Sequence, residues 1–195
     1  KRYNSVNCVA NQNGKLVGYN TDCDGFTMSV KDYPMDGKVL LIGCGGVGRM
    51  IATEALRHGA DLTIGIIPQD KELVEEFIRE AKQTMPDAKV QYAVTADIHD
   101  KFDVIINASP VGMFPKVDAC PLEPGVLAHT AAVFDAIYNP METRLLRLAR
   151  QNGAKVVNGL PMLVWQAAAA QEIWNDVTYT PAQVQRVIEQ MEELL

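Results

Sequence analysis

Along this chain, short runs dense in apolar residues alternate with segments whose apolar positions recur every three or four residues. The runs are 38–43 (KVLLIG), 61–67 (DLTIGII), 89–94 (KVQYAV), 102–109 (FDVIINAS), 131–138 (AAVFDAIY) and 154–159 (AKVVNG). The first is unbroken, the pattern of a strand buried on both faces of a parallel sheet. Between the runs, Val47, Met50, Ile51, Ala55 and Leu56 fall at helical spacing, with Gly59 closing the helix. Leu73, Val74, Phe77, Ile78 and Ala81 form the face of a second helix, and 143–152, with Gly153 beyond it, forms a third. Strands alternating with helices predict an α/β fold, a Rossmann-like doubly wound parallel sheet.

The ends read differently. Residues 5–20 predict a hairpin turning at Asn13-Gly14, where both central residues must accept positive φ. A short helix follows and stops before Pro34. The stretch 110–125 is rich in Pro and Gly and predicts a loop. An Ala-rich helix covers 161–177. A last helix opens on a Thr180 cap with Pro181 at its first position and Gln183 in the capping-box position. Its stripe of Val184, Val187, Ile188, Met191 and Leu195 predicts core or interface.

Composition narrows the picture. With 195 residues, 48% hydrophobic and 22% charged, the chain can bury a core. A net charge of -6 argues against nucleic acid or an anionic membrane as partner. Cys8, Cys23, Cys44 and Cys120 are scattered without metal-ligand spacing, which predicts reduced thiols and no metal site. No apolar run is long enough to span a bilayer, so a cytoplasmic location is expected.

The chemistry starts at "LIGCGGVGRM". Gly43, Gly45 and Gly48 stand in the G-x-G-x-x-G pattern between a predicted strand and helix. There the first glycine permits a tight turn, the second lets a pyrophosphate approach the backbone and the third lets helix and strand pack closely. Free N–H groups and the helix dipole then hold phosphates. The turn after the next strand, "IGIIPQDKE", decides between NAD and NADP. It carries one early acid, Asp70, and no arginine, which leans towards NAD. Asp70 could equally cap the helix that follows, and Lys71 could still meet a phosphate.

Five segments in order, "VNCVANQNGKLVGYNTDCDG", "GCGGVGRM", "INASPVGM", "FDAIYNPMETRLL" and "NGLPMLVWQAAAAQEIW", resemble the shikimate dehydrogenase family, including its quinate/shikimate branch. The resemblance implies an enzyme moving a hydride between NADP or NAD and shikimate, in equilibrium with 3-dehydroshikimate, or the quinate pair, in aromatic amino acid synthesis or quinate use. It implies that Asn7, Thr21 and Asp22 contact the small-molecule substrate, with Asp22 the acidic half of a catalytic Lys–Asp pair. Tyr138 and Gln166 would line the substrate cleft. Gly45, Gly46 and Val47 would lie on the pyrophosphate, Asn107, Ser109 and Val111 along the nucleoside, and Gly159 and Met162 near the nicotinamide. Simpler readings stand beside these: a turn and helix cap at Asn20–Asp22, a turn at Tyr138, plain core at Met162.

Two departures qualify the resemblance. The family's Asn-Arg-Thr after the second strand is absent, with Ile66, Ile67 and Pro68 there instead, so NAD is expected to be at least competitive. The substrate domain that carries the lysine is mostly missing, and Lys1 lies too close to the hairpin to match it. The expected organisation is 1–36 as the end of a substrate domain, 37–160 as the NAD(P)-binding domain and 161–195 as helices packing back. Such a chain should have little activity alone and should associate, as a homo-oligomer, through the hairpin or last helices. The rival is a non-catalytic dinucleotide-binding or regulatory module.

Overall fold

A computed structural model describes Tyr3 and residues 5–194. Lys1 and Leu195, named above, lie outside the described residues. The chain opens with a hairpin of β1 (Cys8–Gln12) and β2 (Lys15–Tyr19), antiparallel, with Asn13 and Gly14 both at positive φ in the turn. Helix α1 (Thr21–Ser29) follows. A six-stranded parallel sheet is then built from β3 (Lys38–Ile42), β4 (Asp61–Ile66), β5 (Val90–Val94), β6 (Val104–Asn107), β7 (Ala132–Asp135) and β8 (Lys155–Val157). The strand order is β5-β4-β3-β6-β7-β8. Helices α2 (Gly46–Arg57), α3 (Lys71–Thr84) and α4 (Arg144–Gln151) alternate with the strands, and α5 (Leu160–Asn175) and α6 (Pro181–Glu192) complete the chain.

The apolar runs are strands because both of their faces are covered. Val39, Leu41, Val104, Ile106, Ala132 and Phe134 point into a core shared with α1, α2 and α3. Their neighbours Leu40, Ile42, Ile105 and Val133 point into a second core, against α4 and the segments before β6 and β7. Alternation therefore persists, but neither side is polar.

Three predicted stripes are wider than the faces that form. Val47, Leu73 and Val187 are 37%, 37% and 43% exposed, whereas Met50, Val74, Phe77, Val184 and Ile188 are buried. Val47 stands at the open first turn of α2, and Leu73 and Val187 sit at the margins of their helices' buried arcs. The capping box of Thr180 and Gln183 forms as read.

The hairpin and α1 are carried by α5. The Trp174 indole donates to the Val9 carbonyl at 3.0 Å. Gly25 faces α5 so closely that a Cβ there would stand 2.5 Å from the carbonyl oxygen of Met162 and 3.2 Å from Cβ of Gln166. A backbone carbonyl cannot step aside as a side chain can. Gly25→Ala is therefore expected to destabilise the protein by roughly 1–3 kcal/mol, as overpacking does. Urea denaturation checks this; an unchanged midpoint would mean that the two helices can separate freely.

Candidate functional site

At the end of β3 the chain turns through Gly43 with φ +93°, a left-handed value that suits glycine. A Cβ on Gly48 would collide with the Gly43 carbonyl oxygen, so close contact of strand and helix requires glycine there. At Gly45 and Gly46 a Cβ would meet nothing within 4 Å. That open space fronts the first turn of α2, whose N–H groups and dipole favour an anion. Cys44 points inward instead, 1% exposed. Burial pushes its thiol up to about 11, so it packs as a neutral side chain.

The sheet's order reverses between β3 and β6, and ligands bind such sheets at that point. Here it opens a cleft of about 470 Å³ lined by Val47, Ser109, Phe114, Ile137, Tyr138 and others from the segments after β6 and β7. The largely apolar lining suits a flat ring and its ribose. Tyr138 is 43% exposed on this wall.

Beneath the cleft lies a fully buried polar cluster. Asn107 and Asp135 are register partners at the ends of β6 and β7, each 0% exposed. Asp135 Oδ1 accepts from Asn107 Nδ2 at 3.0 Å and from the Ile137 amide at 3.1 Å. Its Oδ2 accepts from the Thr143 hydroxyl at 2.6 Å, and Thr143 in turn caps α4. Asn107 Oδ1 accepts from the Ser109 amide and hydroxyl at 3.1 and 2.7 Å, and Asn107 Nδ2 also reaches the Val111 carbonyl. Asn107 therefore lies below the cleft and shapes it, while Ser109 reaches its surface and Val111 is exposed beside it.

A polar cluster around the Asp22 carboxylate forms where the hairpin meets α1 and α5. Asn20 caps α1, accepting from the Cys23 amide, and this leaves the Asp22 carboxylate out of the capping role. Asn7 Nδ2 donates to Asp22 Oδ1 at 2.8 Å and to Thr21 Oγ1 at 3.0 Å, with Gln166 Oε1 at 3.3 Å. The Thr21 amide returns a bond to Asn7 Oδ1 at 2.8 Å. Partial burial raises the Asp22 carboxyl above its usual range, and the Asn7 bond opposes the rise. Four of the residues expected at the substrate thus meet in one place; Tyr138 stands apart, on the cleft wall.

Asp70 occupies the N-cap position of α3 but accepts no capping hydrogen bond. Met162 is 7% exposed and belongs to the core shared with α1. Gly159 precedes α5, and a Cβ on it would collide with the Ala136 carbonyl oxygen at the cleft wall. Among the described residues no group of His, Cys, Asp or Glu could hold a metal ion, and no helix is long and apolar enough to cross a membrane.

Sequence reasoning overlooked Asp135, Thr143 and Gly25. A lone acid closing an otherwise apolar strand was the available signal for Asp135. Burial pushes that carboxyl up to about 6 from 3.8, against the hydrogen bonds that favour its charge. Between these values the folded chain holds a proton that the unfolded chain has released. Stability from this group is therefore present at the acid end and lost as pH rises through about 6. The stability difference between the protein and its Asp135→Asn variant should grow in the protein's favour by up to about 3 kcal/mol on acidification from neutral pH to near 4. Chemical denaturation at several pH values measures it, and a flat difference would show an unperturbed carboxyl.

Known proteins share this fold. No protein-family model matches the chain. A relative named shikimate dehydrogenase (NADP(+)), from Bacillus cytotoxicus, is 35% identical over 179 residues, 90% of this chain and 64% of the relative. The crystal structure of a chorismate mutase/shikimate 5-dehydrogenase fusion protein from Clostridium acetobutylicum is 33% identical with a TM-score of 0.80, covering 98% of this chain and 68% of that one. Shikimate 5-dehydrogenase from Listeria monocytogenes, in complex with shikimate and NAD, is 28% identical with a TM-score of 0.82, covering 94% and 68%. The chain thus spans somewhat less than two thirds of its first curated relative, and it is a member of the shikimate dehydrogenase family.

Proposed function

We propose that this chain supplies the dinucleotide site and one catalytic wall of an enzyme that interconverts shikimate and 3-dehydroshikimate, or the quinate pair, in the cytoplasm. One observation carries the reading: a single helix joins the two halves of the site. Helix α5 starts where Gly159 abuts the cleft wall, its amide bonded to the Ile137 carbonyl at 3.0 Å. Gln166, in the cluster with Asn7 and Asp22, lies about 10 Å further along the helix axis. That separation suits a nicotinamide in the cleft with a ring-sized substrate beyond it.

The residues divide the work. Gly45 and Gly46 leave room for the pyrophosphate, and the amides of the first turn of α2 hold it. When bound, the nicotinamide supplies the hydride acceptor or donor. Ser109, Val111 and Tyr138 border it. Asn7, Thr21 and Gln166 orient the substrate hydroxyls, and Asp22 accepts a hydrogen bond from the hydroxyl that is oxidised. Family resemblance assigns the proton transfer to a lysine, and no lysine among the described residues forms an ion pair with Asp22. The base would come from a substrate domain, of which 1–36 is the end. Residues 37–160 form the nucleotide domain and 161–195 the helices that pack back. Exposed Val9, Leu16 and Trp174 suit association there, with a second copy or with that domain.

Gly45→Val is expected to fold normally, because its side chain enters empty space, yet to weaken nucleotide binding at least 100-fold by filling the pyrophosphate's approach. Calorimetry with NAD⁺ and NADP⁺ tests this, and unchanged affinity removes the assignment. In the intact protein, Asp22→Asn should lower kcat for shikimate or quinate about 10²-fold or more while leaving cofactor affinity nearly intact. The 195 residues alone should bind nucleotide but turn over neither substrate appreciably; brisk turnover would place the base within them.

A further inference from the structure

The Gly43 amide donates to the Gly65 carbonyl at 2.9 Å, so the glycine turn lies beside the end of β4, where the adenosine ribose of a dinucleotide in such a fold would lie. The turn after β4 offers Ile67, Pro68, Gln69 and Asp70, one acid and no cation. Two cations stand beside it, and both are engaged. Arg49, in the first turn of α2, donates to the Gly45 carbonyl through its amide, so its Cα is one turn from the glycines. Its guanidinium is turned towards α3, where Nη2 meets Glu80 Oε2 at 2.6 Å and the group lies 5.7 Å from the centre of the Phe77 ring. Its side chain is only 19% exposed. Lys71 Nζ lies 3.9 Å from Glu75, which also accepts from the Tyr92 hydroxyl at 2.7 Å. Arg49 and Asp70 act with opposite sign on the Cys44 thiol, so both are electrostatic neighbours of the glycine turn.

An adenosine 2′-phosphate needs a cation, best a guanidinium in bidentate contact, and a ribose bearing only hydroxyls needs an acceptor. Stacked and paired on α3, Arg49 is withheld from such a phosphate, while Asp70 remains to accept from hydroxyls and to repel a second anion. Resting on the nucleotide site proposed above, we propose that this chain prefers NAD(H) to NADP(H), and that Glu80 determines this specificity by holding Arg49 against Phe77. Its relatives' names include NADP(+), so the preference is a property of these side chains and not of the fold.

Calorimetry on the intact protein tests the proposal. NAD⁺ should bind at least tenfold more tightly than NADP⁺. Glu80→Gln, which keeps the side chain's shape, should tighten NADP⁺ about tenfold through a released guanidinium and leave NAD⁺ within about twofold. The double variant Arg49→Gln, Glu80→Gln should lose that gain, with melting temperatures showing that all three proteins are folded. Tighter NADP⁺ binding by the unaltered protein, or no gain in Glu80→Gln, overturns the inference and leaves the nucleotide site standing. Failure of both dinucleotides to bind removes the nucleotide site itself and the inference with it.

Discussion

The close crossing of α1 and α5 is the constraint on which the rest of this structure depends. At Gly25 the two backbones approach until there is no room for a methyl group. The approach carries the hairpin and α1 against a helix whose start is fixed on the sheet, where Gly159 meets the Ala136 carbonyl at still closer range. Two glycines therefore fix the first turns of one helix, one against the sheet and one against α1. Without the first, Asp22 and Gln166 would be held apart by the width of a side chain. Without the second, α5 would not start at the cleft wall. Close backbone contact needs little energy of its own to be decisive; it removes alternatives that larger side chains would leave open.

The cleft has a comparable keystone in Asp135. Burying a carboxylate is costly, and a carboxyl pushed up to about 6 shows that its hydrogen bonds do not fully offset the cost. What the burial secures is geometry. One carboxylate fixes the segments after β6 and β7, through Asn107 on one side and Ile137 and Thr143 on the other. Both walls of the cleft are thus tied to one side chain. An apolar residue at this position would pack as well, but it would leave the Asn107 amide and the Thr143 hydroxyl without their acceptor.

Much of the fold was legible because its signals are local. The apolar runs, the Asn13-Gly14 turn, the glycine pattern and the Thr180 capping box each lie within a few residues and each formed. Stripe widths were harder to read, since Val47, Leu73 and Val187 satisfy helical spacing yet fall at the edge of what a neighbour covers. The site was legible only in part. Asn7 meets Gln166 across 159 positions, and Arg49 meets Glu80 across 31; no periodicity encodes such pairs. Asn107 shows a further limit. The family resemblance sets it along the nucleoside, whereas its side chain is wholly buried and holds Ser109, which reaches the cleft surface.

In the proposed function a dinucleotide lies across the glycine turn, with its nicotinamide at the start of α5 and the Asp22 cluster further along that helix. Amide resonances of isotopically labelled protein, followed during titration with NAD⁺, test this most directly. The account predicts the largest shifts at Gly45, Gly46, Val47, Ser109 and Val111, with a smaller set running from Gly159 to Gln166. Shifts centred instead on the separate cleft between α1 and α2, lined by Phe26, Val30, Glu54 and His58, with the glycine turn unmoved, would contradict it.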